Sequence, residues 1–395
     1  MRSKLSIILL ATLMIIGSHS VFAQTDVVED FVPSSANQPG KEYPQVNSEG
    51  RVRVKISAPD AKYVQLDIGA VKYDLTKDEE GVWIGESAPQ DEGFHYYQLN
   101  IDGASVPDPK SLYFYGASRW GSGIEVPAHD QEFYALKNVP HGQVREQIFY
   151  SQHSEGLRRC FIYTPPGYDQ NPDKRYSVLY LQHGGGEDET GWSSQGKVNL
   201  IMDNLLAEGK AEPFIIVMDN GSWRMPERDR NAPRDTARRE ERPRTWPPQG
   251  WANGFMNTLL DDIIPMVDAN FRTLDDSQHR AMAGLSMGGM QTRIITLAHP
   301  EVFSYLGMFS GGSISLEDAE NAEGFMENIK LVFISYGSRE LENRRMGFGG
   351  DPKANTEALK QAGMKTHFYV SPETAHEWQS WRRGFHEFAP LIFKD

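Results

Sequence analysis

Between Arg51 and about Pro127 the chain alternates apolar and polar residues in short runs: Val52, Val54 and Ile56, then Val64, Leu66 and Ile68, then Tyr97, Leu99 and Ile101. Side chains on an extended strand point to opposite faces in turn, so a period of two gives each run one apolar and one wettable face. Pro59-Asp60, Asp91-Glu92-Gly93 and Asp102-Gly103 supply turns between them. This stretch predicts a small antiparallel β-sandwich. From roughly Gln147 the pattern changes. Ser177 to Gln182, Phe214 to Met218, the run entering Ser286 and Leu331 to Tyr336 are continuous apolar segments, as strands buried on both faces require. Asn199 to Glu208, the amphipathic Met256 to Asn270 and Gly289 to Ala298 read as helices between them. Strands alternating with helices imply a mostly parallel sheet covered on both sides, so the fold class expected is α/β. No internal repeat or low-complexity tract interrupts this scheme.

The first residues stand outside it. Arg2 and Lys4 precede an apolar run from Leu5 to Ile16 and the small-residue site Val21-Phe22-Ala23, the order of a signal peptide cleaved after Ala23. The run is shorter than the ~20 residues a bilayer span needs, and no later segment comes near that length. A secreted or periplasmic protein with no membrane partner is expected. Cys160 is the only cysteine, so no intramolecular disulfide can form. The formal charge of −14 makes nucleic acid an unsuitable partner and disfavours strongly anionic polymers, while neutral or weakly charged glycans remain open. Residues 222–254 are dense in arginine, acidic residues and proline, among them Arg228, Arg234, Arg238 and Pro243, and predict a long loop that either borders the substrate cleft or is a solvated excursion.

Gly284-Leu285-Ser286-Met287-Gly288 follows a small apolar segment and has the G-x-S-x-G form of a nucleophile elbow, where small flanking residues let strand and helix backbones pack closely. A serine hydroxyl is a weak nucleophile at neutral pH, so Ser286 needs a histidine base, and that base needs an acid to fix its tautomer. In the chain order Ser, acid, His, the base expected is His376, in the loop after the apparent strand Thr366 to Val370, with His386 as the alternative. The acid expected is Glu340, after the strand Leu331 to Tyr336, with Glu342 and Asp351 behind it. Met287 offers one backbone donor for an oxyanion, and the run His183-Gly184-Gly185-Gly186 offers a second at Gly185. No cofactor fingerprint or metal-ligand spacing appears, so cofactor-free, metal-free hydrolysis is expected.

These residues resemble carbohydrate esterase family 1, the feruloyl and acetyl-xylan esterases, within the wider group that includes enterochelin esterases. YTPPGY at Tyr163 to Tyr168, HGGGEDETGW at His183 to Trp192, GLSMGG at Gly284 to Gly289 and AHEWQSWRRGFHEFAP at Ala375 to Pro390 carry the likeness. It implies an α/β-hydrolase esterase domain over 141–395, with the base of the H-x-W-x-x-W-R element at His376. The family's usual acid is an aspartate, and here the corresponding step Gly337-Ser338-Arg339 leads to Glu340. Residues 24–140, with Val106-Pro107-Asp108-Pro109, Tyr113-Phe114-Tyr115 and Trp120, resemble a family-48 carbohydrate-binding module, an immunoglobulin-like sandwich. Tyr113, Tyr115 and Trp120 either touch glycan or fill the core or interface, and Trp83, Tyr96 and Tyr97 are expected in the core. The implied activity is release of ferulate from feruloylated xylan or xylo-oligosaccharide through an acyl-enzyme. Trp192, Trp223 and Trp378 are the candidate substrate contacts, since tryptophans beside the base suit an aromatic acyl group; packing against the sheet edge is the alternative. An acetyl-xylan esterase with the same triad is the alternative, ahead of a siderophore esterase or a non-catalytic glycan-binding protein.

Overall fold

The computed structural model describes residues 27–222, 247, 250–342 and 348–394. The expected leader at 1–23, Trp223 and most of the arginine-rich stretch lie outside the described residues.

Two antiparallel sheets take their strands from residues 32–126. One includes Val52–Ser57 and Val82–Glu86, and the other includes Tyr113–Gly116, Arg119–Val126, Gly93–Ile101 and Val64–Ile68. The alternation in the sequence explains how they pack: Val52, Val54 and Trp83 from the first share one core with Val64, Leu66, Tyr97 and Leu99 from the second. Tyr96, beside Tyr97 on the same strand, faces the other way and meets the second unit rather than this core.

That unit is built on an eight-stranded mixed sheet. Its strands are β1 (Gln143–Ser151), β2 (Gly156–Thr164), β3 (Ser177–Gln182), β4 (Phe214–Asp219), β5 (Arg280–Leu285), β6 (Tyr305–Phe309), β7 (Leu331–Gly337) and β8 (Thr366–Ser371). They lie in the order β1-β2-β4-β3-β5-β6-β7-β8. The pairs β1 with β2 and β2 with β4 are antiparallel, and the remaining neighbours are parallel. Every residue of β3, β4 and β7 is buried, which accounts for their unbroken apolar runs. Val178 and Tyr180 enter one core and Leu179 and Leu181 the other, on opposite faces of the sheet. The helices that matter for the site are α1 (Val198–Ala207), α2 (Met287–Ala298), α3 (Ser338–Glu342), α4 (Pro352–Gln361) and α5 (Trp378–Phe388). The helix expected at Met256 begins at Asn253, and its middle, Thr258–Ile263, is π-helical just before Pro265, whose ring nitrogen cannot donate a hydrogen bond.

The sandwich docks on α5. Arg382, fully buried, donates both ends of its guanidinium to the Glu125 carboxylate and also reaches the Gln195 carbonyl, while Arg383 pairs with Asp130 at 2.6 Å.

Candidate active site

Strand β5 ends at Leu285 and α2 starts at Met287, so Ser286 makes the whole turn itself, with φ +48° and ψ −110°. Few non-glycine residues adopt such a backbone, and strain of this kind persists only where the surroundings enforce it. Here the surroundings are other backbones. A methyl group on Gly284 would lie 2.5 Å from the Gly288 carbonyl carbon, and one on Gly288 would lie 2.7 Å from the Gln182 carbonyl oxygen. The flanking glycines are therefore a packing requirement of the turn, which holds the Ser286 hydroxyl at the end of the parallel strands.

The loop after β8 brings His376 to that hydroxyl. His376 Nε2 lies 2.9 Å from Ser286 Oγ, and Nδ1 lies 3.1 Å from Glu340 Oε2. A carboxylate only accepts, so Nδ1 carries the proton and Nε2 is left to accept from the serine. Glu340 comes from the first turn of α3, directly after β7. Its second oxygen accepts from Ser310 Oγ at 2.7 Å and from the Gly337 N–H at 3.2 Å. Ser310 in turn accepts from Trp381 Nε1 at 3.1 Å, and the Trp381 ring meets His376 edge to face, 5.1 Å between centres. The serine, histidine and glutamate singled out in the sequence are thus one hydrogen-bonded line. Of the alternatives, Asp351 caps α4 by accepting from the Lys353 and Ala354 amides, and His386 packs on the Phe133 ring.

The glycine run after β3 lies against the elbow, since a methyl group on Gly184 would come within 3.6 Å of Ser286 Cβ. His183 pins its start: it accepts from the Gly221 N–H through Nε2 and donates to the Gly184 carbonyl from Nδ1, at 3.1 and 2.7 Å. Complete burial lowers its pKa, so the ring is neutral. The Gly184 N–H donates to Glu187 Oε2 at 3.2 Å, whereas no described residue accepts from the Gly185 N–H. Met287 opens α2, where an N–H has no intrahelical acceptor. Two backbone donors beside the serine are therefore available to an oxyanion.

A cavity of about 420 Å³ opens next to Ser286, walled by Met290, Tyr336, Leu341, Phe348 and Phe368, with Lys353 also on its lining. No sequence motif points to it, because its walls come from five separate segments. Trp192 and Trp378 are not part of it, which corrects the expectation that they touch substrate. They are only 1% and 2% exposed, stack edge to face on one another, and spend their N–H groups on the Gln182 carbonyl and the Tyr96 hydroxyl. No ring surface is left for a ligand. Trp223 lies outside the described residues. Ser310, Trp381 and Glu187 were also not expected at the site. Glu187 carries a hint in its place directly after the glycine run, and Trp381 in being the second tryptophan of the H-x-W-x-x-W-R element, whereas Ser310 carries none. Away from the site, Glu92, His129 and Asp130 form the one His-carboxylate group of metal-ligand spacing among the described residues, and the Arg383 guanidinium already sits against Asp130 and Glu92.

The family model described as putative esterase matches residues 151–390. Over 374 residues the chain is 44% identical to an endo-1,4-beta-xylanase/feruloyl esterase of Xylanibacter ruminicola, a match covering 93% of this chain and 48% of that protein. It is 26% identical to endo-1,4-beta-xylanase Y of Acetivibrio thermocellus, over 61% of this chain and 22% of that protein. The chain thus spans about half the length of the first relative and less of the second. Among solved structures, a CE1 ferulic acid esterase from Anaeromyces mucronatus in complex with ferulic acid superposes with a TM-score of 0.53 at 23% identity, covering 67% of this chain and 96% of that one. The enterochelin esterase of Shigella flexneri gives 0.57 at 17% identity, covering 89% and 94%. At these identities the structures share the fold.

Proposed function

The chain belongs to the putative esterase family, and on that footing we propose that it is a serine carboxylic-ester hydrolase that releases ferulate or a related hydroxycinnamate from feruloylated xylan. The observation that carries this reading is the line Ser286, His376 and Glu340 beside a cavity with aromatic walls. The xylanase/feruloyl esterase that matches 93% of this chain supports the substrate class.

In this reading Ser286 Oγ attacks the ester carbonyl while its proton passes to His376 Nε2, and Glu340 stabilises the imidazolium. The Met287 and Gly185 amides receive the negative charge on the carbonyl oxygen. Collapse of the tetrahedral intermediate breaks the ester C–O bond, and His376 returns the proton to the departing sugar oxygen. Water then repeats the sequence on the acyl-serine and frees the acid. An acetyl-xylan esterase would use the same groups, but an acetyl group leaves a cavity of this size mostly unfilled, which favours a larger aromatic acyl chain.

The sandwich is read as an immunoglobulin-like, family-48-like carbohydrate-binding module. Tyr113 and Trp120, 47% and 53% exposed on neighbouring strands, are its available aromatic faces. Export by a leader cleaved after Ala23 completes the proposal, since plant polysaccharide is met outside the cytoplasm. The test is hydrolysis of methyl ferulate, acetylated xylan and feruloylated xylo-oligosaccharide by wild type and Ser286→Ala. Ferulate release lost in the variant is the expected result. Acetate release alone would reassign the substrate, and no turnover on any of them would leave glycan binding as the function.

A further inference from the structure

The sandwich reaches the glycine run from two sides. Tyr96 leaves the sandwich core to its neighbour Tyr97 and points at the hydrolase unit. Its hydroxyl donates to Glu187 Oε1 at 3.2 Å and accepts from Gln195 Nε2 at 2.7 Å and Trp378 Nε1 at 3.2 Å. A phenol has one proton to give and two lone pairs to offer, so this hydroxyl is fully used. The other oxygen of Glu187 accepts from the Gly184 N–H. On the far side, the Ser118 N–H of the sandwich donates to the Gly186 carbonyl at 2.7 Å. Gly184 and Gly186 flank Gly185, so both neighbours of the free amide are tied to the sandwich. Trp378, two residues past His376, ties the base-bearing loop to the same tyrosine.

Adhesion between the units does not call for this arrangement. Arg382 with Glu125 and Arg383 with Asp130 already hold α5 to the sandwich. The Tyr96 to Glu187 chain ends instead on the backbone of the loop whose amide would face an oxyanion. Gly184, Gly185 and Gly186 have no side chains of their own to fix them, and Gly185 has open space where a side chain would be.

We propose that Tyr96 and Glu187 are positioning residues that aim the Gly185 amide, which makes the sandwich a working part of the hydrolytic site whether or not it holds glycan. The inference rests on the esterase reading above.

The experiment uses the full chain and two soluble esters, 4-nitrophenyl acetate and methyl ferulate, so that capture of polysaccharide has no part in it. Wild type and Ser286→Ala are measured first. Tyr96→Phe removes the hydroxyl, and Glu187→Gln, assayed at pH 8 where the Glu187 carboxyl is ionised, keeps the shape while replacing one acceptor with a donor. A displacement of about 1 Å at a reacting group costs up to about 10² in rate, and one oxyanion donor is worth about 10²–10³. Each variant is therefore expected to lose about tenfold or more in kcat with KM within about twofold, and the double variant little more than the worse single one, because both act through one chain. Asp130→Asn, which loosens the interface elsewhere, is expected to lower the melting temperature and leave kcat unchanged. Should Tyr96→Phe not fold, Glu187→Gln carries the test alone. Wild-type kcat in folded Glu187→Gln, or losses that only track the unfolded fraction, would overturn the inference while the esterase reading stands. Absence of wild-type turnover would overturn both.

Discussion

Glu340 Oε2 lies 3.1 Å from His376 Nδ1, and the carboxylate is held in that pose by its other oxygen, which takes hydrogen bonds from Ser310 Oγ and the Gly337 amide. Glu340→Gln keeps the shape but removes the charge and one acceptor: with its N–H₂ toward Nδ1 the bond to His376 is lost, and with its oxygen there the N–H₂ group faces the Gly337 N–H instead. The expected loss is about 10²–10⁴ in kcat with little change in KM, the size found when a triad acid loses its charge. Glu340→Asp is also expected to fail, because α3 starts at Ser338 and the longer side chain spans the distance from its first turn. Steady-state kinetics on methyl ferulate decide both. Wild-type turnover in Glu340→Gln would remove Glu340 from the reaction.

The elbow makes a second expectation. Gly288→Ala places a methyl group 2.7 Å from the Gln182 carbonyl and 2.8 Å from that of His183, and neither is a side chain that can swing away. Moving them displaces the glycine run as well as the serine. Overpacking of this kind costs about 1–3 kcal/mol or more, so the variant should melt several degrees lower and lose turnover beyond what that destabilisation explains. Melting curves paired with kcat on the folded fraction check it.

The cavity separates acyl groups by size. Met290 lies one turn into α2 and forms part of its wall. Met290→Trp fills space there without touching the line of Ser286, His376 and Glu340. The expected result is a loss of about tenfold or more in kcat/KM for methyl ferulate and less than about threefold for 4-nitrophenyl acetate, since unfavourable contacts of one to two kcal/mol suffice for such discrimination. Equal losses on both esters would mean that the acyl group lies elsewhere.

What the sequence made legible follows from how local each signal is. The period-two runs of the sandwich, the unbroken apolar strands β3, β4 and β7, and the Gly284 to Gly288 turn each depend on neighbours in the chain, and all were readable. His376 and Glu340 were placed by chain order after successive strands, a rule of the topology. By contrast, β6 is five residues long and carries no motif, so nothing local marks it or Ser310 just beyond it. Trp192 and Trp378 read as substrate contacts because tryptophans near a base suit an aromatic acyl group. Sequence does not show that two such rings stack on each other under the loop. The cavity and the Tyr96 to Glu187 contact join segments far apart in the chain, 91 residues in the latter case, and only the fold brings them together.

The docking of the sandwich on α5 gives a stability prediction. Arg382 is fully buried, and its charge is met by Glu125 from the sandwich. Removing one partner leaves the other charged and dry, at a cost of about 3–5 kcal/mol. Arg382→Met and Glu125→Leu are each expected to lower the melting temperature sharply, and the double variant to recover much of the loss. Additive losses in denaturant titrations would show that the pair is solvated in solution.

The last prediction concerns acidity. Burial pushes the Glu187 carboxyl up from 4.5 to about 7, although the Gly184 N–H, the Tyr96 hydroxyl and the nearby His376 all favour its ionised form. Between those two values the folded protein keeps a proton that the unfolded chain has released. The folded state then binds more protons than the unfolded one, so stability attributable to Glu187 falls as pH rises through this window and levels off above it. Glu187→Gln carries no such proton. The melting temperature of the variant relative to wild type should therefore climb between pH 5 and pH 8, by the equivalent of up to about 3 kcal/mol. Asp219, also raised by burial, to about 6, has the same slope but is present in both proteins and cancels in the difference. A difference that stays flat across the range would mean that Glu187 is ionised throughout. Tyr96 and Gly184 would then hold a fixed charge beside the oxyanion loop, where it opposes the developing negative charge instead of only setting the geometry.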